Sequence, residues 1–201
     1  KKLERYRKIN PVGSDFVLGI NVGPNKNSLD RINDYQVLSE NLCKFADYIT
    51  LNISSPNTPN LRDFHKSELL EKVIKAVKKG ILNSKLQNSN IPIFLKIAPD
   101  ISFKILEAII NKAVQLKITG LIISNTTIDR NKNLQSENAT EIGGLSGTPL
   151  FNKSTSILSM SNKIIKKNRH KPKVAYTCRL TRSMGIVRYL FDDEREYLFQ
   201  R

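Results

Sequence analysis

Four short apolar runs, at residues 16–20, 48–53, 93–98 and 120–124, limit most strongly how this chain folds. Each is rich in β-branched residues and bounded by polar or turn residues. Continuous apolar runs of this length suit strands buried on both faces of a parallel sheet, whereas half-exposed strands alternate. Amphipathic segments lie between them. Leu69, Leu70, Val73, Ile74 and Val77 recur at helical spacing, as do Ile105, Leu106, Ile109, Ile110 and Ala113. Residues 28–45 form a third candidate helix, with Ser28 as N-cap before Leu29. Residues 154–167, carrying Ile157, Leu158, Ile164 and Ile165, form a fourth. The order β-α-β-α-β-α-β-loop-α predicts an α/β fold with a parallel sheet and right-handed crossovers.

Two architectures satisfy that order. A doubly wound dinucleotide sheet calls for G-x-G-x-x-G after a strand, and Gly19, Gly23, Gly143, Gly144 and Gly147 do not supply it. The strands instead share polar residues at their C-terminal ends: Asn21, then Asn52 with Ser54 and Ser55, then Lys96, then Asn125 and Thr126. In a (β/α)8 TIM barrel all such ends open on one face, where ligands bind. The pattern predicts an incomplete (β/α)8 barrel of about four parallel βα units, since about eight strands and 250 residues make a full one.

Composition narrows the class. With 33 Lys and Arg against 18 Asp and Glu, the net charge is +15. The basic residues are scattered without interleaved aromatics, and 20 Asn and 23 Ile accompany them, so a solvated lysine-rich surface is expected and nucleic acid is not an expected partner. No run of eighteen apolar residues suggests a transmembrane helix. Two cysteines, Cys43 and Cys178, make no disulfide framework, and Cys43 reads as packing on a helix. His65 and His170 fall in polar stretches expected to be exposed, and no His/Cys/Asp/Glu cluster has metal spacing, so no metal is expected. Residues 1–172 hold 21 Lys, 6 Arg and all the Asn, whereas residues 173–201 hold 1 Lys, 5 Arg and no Asn. This break divides the chain into a partial-barrel domain, 1–172, and a divergent C-terminal segment, 173–201.

Three places carry chemistry. In Leu51-Asn52-Ile53-Ser54-Ser55-Pro56-Asn57-Thr58, a strand ends in amides and hydroxyls and turns on proline, which suits a planar polar ligand gripped by its edges. Asn52, Ser55 and Asn57 read equally well as ordinary turn residues, and Thr58-Pro59-Asn60 reads as a turn. Lys96 sits among apolar residues on a strand, where an ammonium costs several kcal/mol unless an anion or acceptor cluster meets it. A Schiff base, stabilisation of a developing anion, pairing with an internal carboxylate, or snorkelling to the rim all fit. The glycine-rich stretch 141–150, before a helix, would let backbone amides approach a phosphate or flat ring.

Taken together, these segments resemble dihydroorotate dehydrogenases, specifically the quinone-linked class 2 branch. The matching stretches are Leu18-Gly19-Ile20-Asn21-Val22-Gly23, Asn52-Ile53-Ser54-Ser55-Pro56-Asn57-Thr58, Leu95-Lys96-Ile97-Ala98-Pro99-Asp100, Gly120-Leu121-Ile122-Ile123-Ser124-Asn125-Thr126-Thr127 and Gly143-Gly144-Leu145-Ser146-Gly147, in order and register over residues 3–168. The resemblance implies an FMN flavoprotein that oxidises dihydroorotate to orotate in pyrimidine (UMP) biosynthesis, with quinone as electron acceptor. Ser55 falls on the catalytic base, where class 1 has cysteine. Asn52, Asn57, Asn125 and Thr126 fall on substrate-binding positions. Asn21, Asn52, Lys96, Ser124 and Gly147 fall on flavin contacts, Lys96 where its charge favours the reduced, anionic ring. The implied reaction removes the C5 proton as hydride leaves C6 for the flavin N5. Serine is a poor base at its free pKa and needs a water relay, desolvation or a neighbouring hydroxyl such as Ser54.

The resemblance also implies parts not seen in these 201 residues: N-terminal membrane-associating helices, the first two strands, and the final strands with their FMN-phosphate turns. A truncated or frameshifted product is therefore expected, weakly active or inactive. It would be soluble and cytoplasmic, whereas the complete family member is peripheral to the inner membrane. The competing expectations are a non-catalytic remnant and a basic nucleic-acid-binding module.

Overall fold

The computed structural model describes residues 1–84, 90–130, 134 and 137–167, and the backbone of 173–181, 184–190 and 197–199. Helix α1 (Lys2–Ile9) precedes strand β1 (Gly19–Val22). Then follow α2 (Arg31–Leu42), β2 (Tyr48–Asn52), α3 (Ser67–Asn83), β3 (Ile93–Ile97), α4 (Phe103–Gln115), β4 (Gly120–Ile123) and α5 (Thr148–Ile165). Strands β5 (Lys173–Thr181), β6 (Met184–Leu190) and β7 (Tyr197–Phe199) complete the described chain. The sheet order is sequential from β1 to β7; β1 to β5 pair in parallel, and β6 and β7 are antiparallel. A doubly wound sheet reverses its strand order at a switch point. Here the order never reverses, so right-handed crossovers place successive helices on one side, as in a barrel wall.

The two faces of this wall differ chemically. Ile49, Leu51 and Ile53, Leu95 and Ile97, and Leu121 and Ile123 alternate onto the helix-covered face and are fully buried. They form one core with Val73, Ile74 and Val77 of α3 and Leu106, Ile109 and Ile110 of α4. Each such side chain contributes about 1.5–3 kcal/mol relative to exposure. The opposite face carries Asn21, then Tyr48, Thr50 and Asn52, then Phe94 and Lys96, then Ile122, aligned by the pairs Asn21↔Thr50, Asn52↔Lys96 and Lys96↔Ile122. The apolar runs thus serve one packed face, and the second face is mixed.

Several boundaries differ from expectation. The first strand starts at Gly19, and Phe16 and Val17 are exposed lead-in, because the Leu18 N–H is held by Asp47 Oδ2 (2.6 Å) and the ladder begins after it. Helix α2 is capped by Asp30, whose Oδ1 accepts from the Asn33 N–H (3.0 Å), and not by Ser28; Cys43–Phe45 is a 3-10 turn, with Cys43 buried. Helix α5 begins at Thr148, six residues before the expected start, because Pro149 suits a first helical turn and Gly147, at φ 80°, makes the sharp entry. His65 is buried, only 7% exposed, and not on a polar surface, since Leu61 and Phe64 carry its 3-10 turn (Leu61–His65) into the core. His170 lies outside the described residues, as does the side chain of Cys178. Among the described residues no helix is long and apolar enough to cross a membrane, and no group of His, Cys, Asp and Glu gathers to hold a metal.

Candidate functional site

The C-terminal ends of β2, β3 and β4 converge on one cluster. Asn52 closes β2, and its backbone carbonyl accepts from the Tyr35 hydroxyl of α2 (2.7 Å). Burial pushes the Tyr35 phenol well above its ordinary pKa, so it stays a neutral donor. The Asn52 side-chain oxygen accepts from the Ser54 N–H (3.3 Å), the Ser54 hydroxyl (3.2 Å) and Asn125 Nδ2 (3.3 Å). Asn125 Nδ2 also donates to Ser54 Oγ (3.0 Å), and Asn125 Oδ1 accepts from the Thr126 N–H (2.8 Å). A ring of two amides and one hydroxyl thus bridges residues 73 positions apart in sequence. Ser54 belongs to this ring and not to Ser55, whose Oγ accepts from the Asn57 N–H (3.3 Å).

Lys96 stands beside Asn52 as its register partner on β3 and faces the same way. Burial pushes its ammonium pKa down, and among the described residues no carboxylate pairs with it. Asn21 lies exposed on the same face of β1. Ser124 follows a cis peptide after Ile123 and donates its hydroxyl to the Asn125 carbonyl (2.9 Å).

The glycine-rich stretch closes over this end of the sheet. Thr127 and Leu145 exchange backbone hydrogen bonds (3.0 and 2.8 Å), and Arg130 donates to the carbonyls of Glu141 and Gly143 (2.8 and 2.9 Å). A methyl group on Gly144 would lie 2.6 Å from Thr126 Cβ and 3.1 Å from Pro56 Cγ, so only glycine permits this approach. One on Gly143 would lie 3.7 Å from Asn57 Oδ1, which puts the exposed Asn57 under the same loop. Gly147 ends the loop as the residue before α5, at φ 80°.

Behind the ring lies a charged network that sequence reasoning missed. Asp100, following β3, accepts from Arg62 Nη1 (2.8 Å), Lys153 Nζ (2.6 Å), Thr127 Oγ1 (2.5 Å) and the Ile128 N–H (2.9 Å). Burial alone would raise its pKa, but these four donors hold the carboxyl below the ordinary value. Arg62 also donates to the carbonyls of Ser54 (3.3 Å) and Thr126 (3.1 Å), and Lys153 pairs with Asp129. His65, three residues beyond Arg62, accepts from the Ala98 N–H at Nε2 (3.4 Å). Apart from Arg62 and Ser54, 8 residues apart, the partners are 24 to 64 residues apart, so no local motif announces them.

A one-sided βα wall with its polar groups gathered at the strand C-termini defines a (β/α)-barrel enzyme. The sequence model of the dihydroorotate dehydrogenase family matches residues 1–168, and the chain belongs to that family. It is 44% identical over 144 residues to the dihydroorotate dehydrogenase (quinone) of Bartonella tribocorum, covering 71% of this chain and 40% of that protein. With the enzyme of the same description from Mesorhizobium japonicum the identity is 42% over 153 residues, covering 76% and 42%. The crystal structure of ligand-free dihydroorotate dehydrogenase from Eimeria tenella superposes with a TM-score of 0.77 at 31% identity, covering 87% of this chain and 52% of that one. The same enzyme in complex with ferulenol gives 0.75 at 31% identity, covering 87% and 50%. The chain therefore spans about two fifths of the length of the curated relatives it matches.

Proposed function

We propose that this chain forms the substrate-gripping part of an enzyme that oxidises dihydroorotate to orotate, with FMN as cofactor and quinone as final electron acceptor, in pyrimidine biosynthesis. The observation that carries the reading is the Asn52–Ser54–Asn125 ring set beside a half-buried Lys96 that no carboxylate among the described residues pairs with. Amides present a donor and an acceptor side by side, which matches the imide edge of a pyrimidine. Asn52, Asn57, Asn125 and Thr126 hold that ring, and Tyr35 fixes Asn52 from behind. An ammonium with no carboxylate partner among the described residues suits a flat heterocycle that gains negative charge, so the donor set fits a flavin, which Asn21, Asn52, Lys96, Ser124 and Gly147 would hold. When bound, FMN supplies the two-electron acceptor.

Ser55 takes the proton from C5 of the substrate as its own hydroxyl proton passes to a relay water. The N–H that Asn57 donates to Ser55 Oγ favours the deprotonated form of that oxygen and so helps its own hydroxyl proton to leave. The Gly143–Gly144 stretch shields the same end of the sheet from water. Quinones dissolve in lipid, so the complete enzyme would work at a membrane surface. On the mixed face Asn21 is exposed, so substrate desolvation is incomplete there and turnover by these 201 residues is expected to be weak. The exposure of Asn21 favours a second reading, a remnant that binds ligand without turning it over.

Calorimetric titration of the chain with orotate tests the first claim. Asn125→Ala removes one amide from the ring and is expected to weaken orotate binding by about tenfold, the equivalent of about 1.4 kcal/mol. Equal affinity in both proteins would remove the pyrimidine assignment. Dihydroorotate-driven quinone reduction above background, with FMN supplied, would remove the remnant reading.

A further inference from the structure

We propose that Arg62 is a positioning residue that holds the Ser55-bearing turn in fixed register with the Asn125–Thr126 pair. Its guanidinium makes three contacts to three elements: the Ser54 carbonyl after β2, Asp100 after β3 and the Thr126 carbonyl after β4. Those two carbonyls belong to the residue just before Ser55 and to the residue just after Asn125. A planar fork of five donors can serve divergent acceptors at once, whereas an ammonium on a flexible stem cannot reach all three.

The turn that carries Arg62 is itself fixed. Asn60 enters it with φ 57°, and His65 at its end meets the Ala98 N–H, so the guanidinium is aimed from a seated element. Asp100 is not dependent on Arg62 for its charge balance, because Lys153 pairs with the same carboxylate. Removing the guanidinium therefore frees the two loop ends while the network behind them persists. For the identity of the ligand this inference rests on the orotate reading above; for the brace it rests on geometry alone.

Arg62→Gln and Arg62→Lys in the full chain test it through amide hydrogen exchange and orotate titration. In both variants the amides of Ser55, Asn57 and Thr126 are expected to exchange about tenfold faster, while those of Ile49, Leu51 and Leu95 keep their wild-type rates. Orotate affinity is expected to fall by about tenfold in parallel, with Lys no better than Gln although it retains the charge facing Asp100. Wild-type exchange at the two loops, or full restoration by Lys, would overturn the brace and leave a simple ion pair. Uniform acceleration across the core strands would overturn it too, as it would mark a general stability role. If Arg62→Gln does not fold, the Lys variant, which keeps the Asp100 pair, decides. Should wild-type chain bind no orotate while the loops loosen selectively, the brace stands and the ligand assignment falls.

Discussion

Lowering the pH from 7 to 4 places a measurable load on one side chain, His65. The imidazole is 7% exposed, and its Nε2 accepts from the Ala98 N–H at the end of β3. Burial pushes its pKa down from 6.5 to about 4; a backbone hydrogen bond at Arg62 opposes the shift and the Arg62 charge adds to it. The unfolded chain takes up a proton near 6.5, whereas the folded chain refuses it until about 4. The stabilisation is thus fully present above 6.5 and is lost as the pH falls through that window to about 4. The interval corresponds to about 3 kcal/mol. Of a total stability of about 5–15 kcal/mol, that is a large share. For a chain of this size it lowers Tm by about 6–12 °C.

Between pH 6.5 and 5 ordinary carboxylates do not titrate, and Asp47 and Asp100 are held lower still. Histidine therefore controls this interval. Urea unfolding at half-unit pH steps, in wild type and His65→Gln, isolates the effect. The wild type is expected to lose stability across the window; the Gln variant is expected to start lower and show a much flatter profile. Matching slopes for the two proteins between pH 7 and 5 would refute the buried, neutral imidazole.

Gly144→Ala is expected to cost about 1–3 kcal/mol by overpacking against Thr126 and Pro56, or to lift the loop and release the Leu145 amide. Unchanged Tm together with a protected Leu145 amide would contradict the close approach. Lys96→Met is expected to stabilise the ligand-free chain by about 1 kcal/mol, or about 2–4 °C in Tm, because it removes a half-buried charge at near-constant volume. The same variant is expected to abolish retention of FMN on ultrafiltration under conditions where wild type keeps some. A lower Tm would show that the ammonium already has a compensating partner.

What could be read from the sequence was whatever depends on neighbours along the chain. Isoleucine-rich runs gave the strands, and the 3.6-residue spacing of Leu70, Val73, Ile74 and Val77 gave the buried face of α3. Asn52, Lys96, Asn125 and Thr126 were legible because a polar group at the end of an apolar run has few uses inside a core. Ser28 and Asp30 are both good caps, and only the bond from Asn33 decides for Asp30. His65 has charged neighbours in sequence, yet its turn is buried through Leu61 and Phe64, which a count of polar residues does not weigh. Asp100 and Arg62 are 38 residues apart, and nothing local marks either as the other's partner. Ser54 was read as a helper to Ser55; the fold, by bringing Asn125 to it, makes it part of the amide ring.

The strands β2 to β4 face two solvents at once, and the contrast separates folding from function. Toward the helices every position is aliphatic and buried, which is sufficient for the wall to form. Toward the mixed face the same strands carry Thr50, Asn52 and Lys96, none of which the wall needs. Asn52 is no liability there, since Ser54 and Asn125 satisfy its side-chain oxygen. Lys96 is different: burial disfavours its charge, and no described carboxylate offsets that. A protein can satisfy such a group from within by placing an acid opposite, as it does for Lys112 with Glu71 on the outer surface. Among the described residues it has not done so on the mixed face. The amides alone are equally consistent with a well-made turn, so the functional reading depends on the cation. An electron-rich partner arriving from outside the chain is what would balance it.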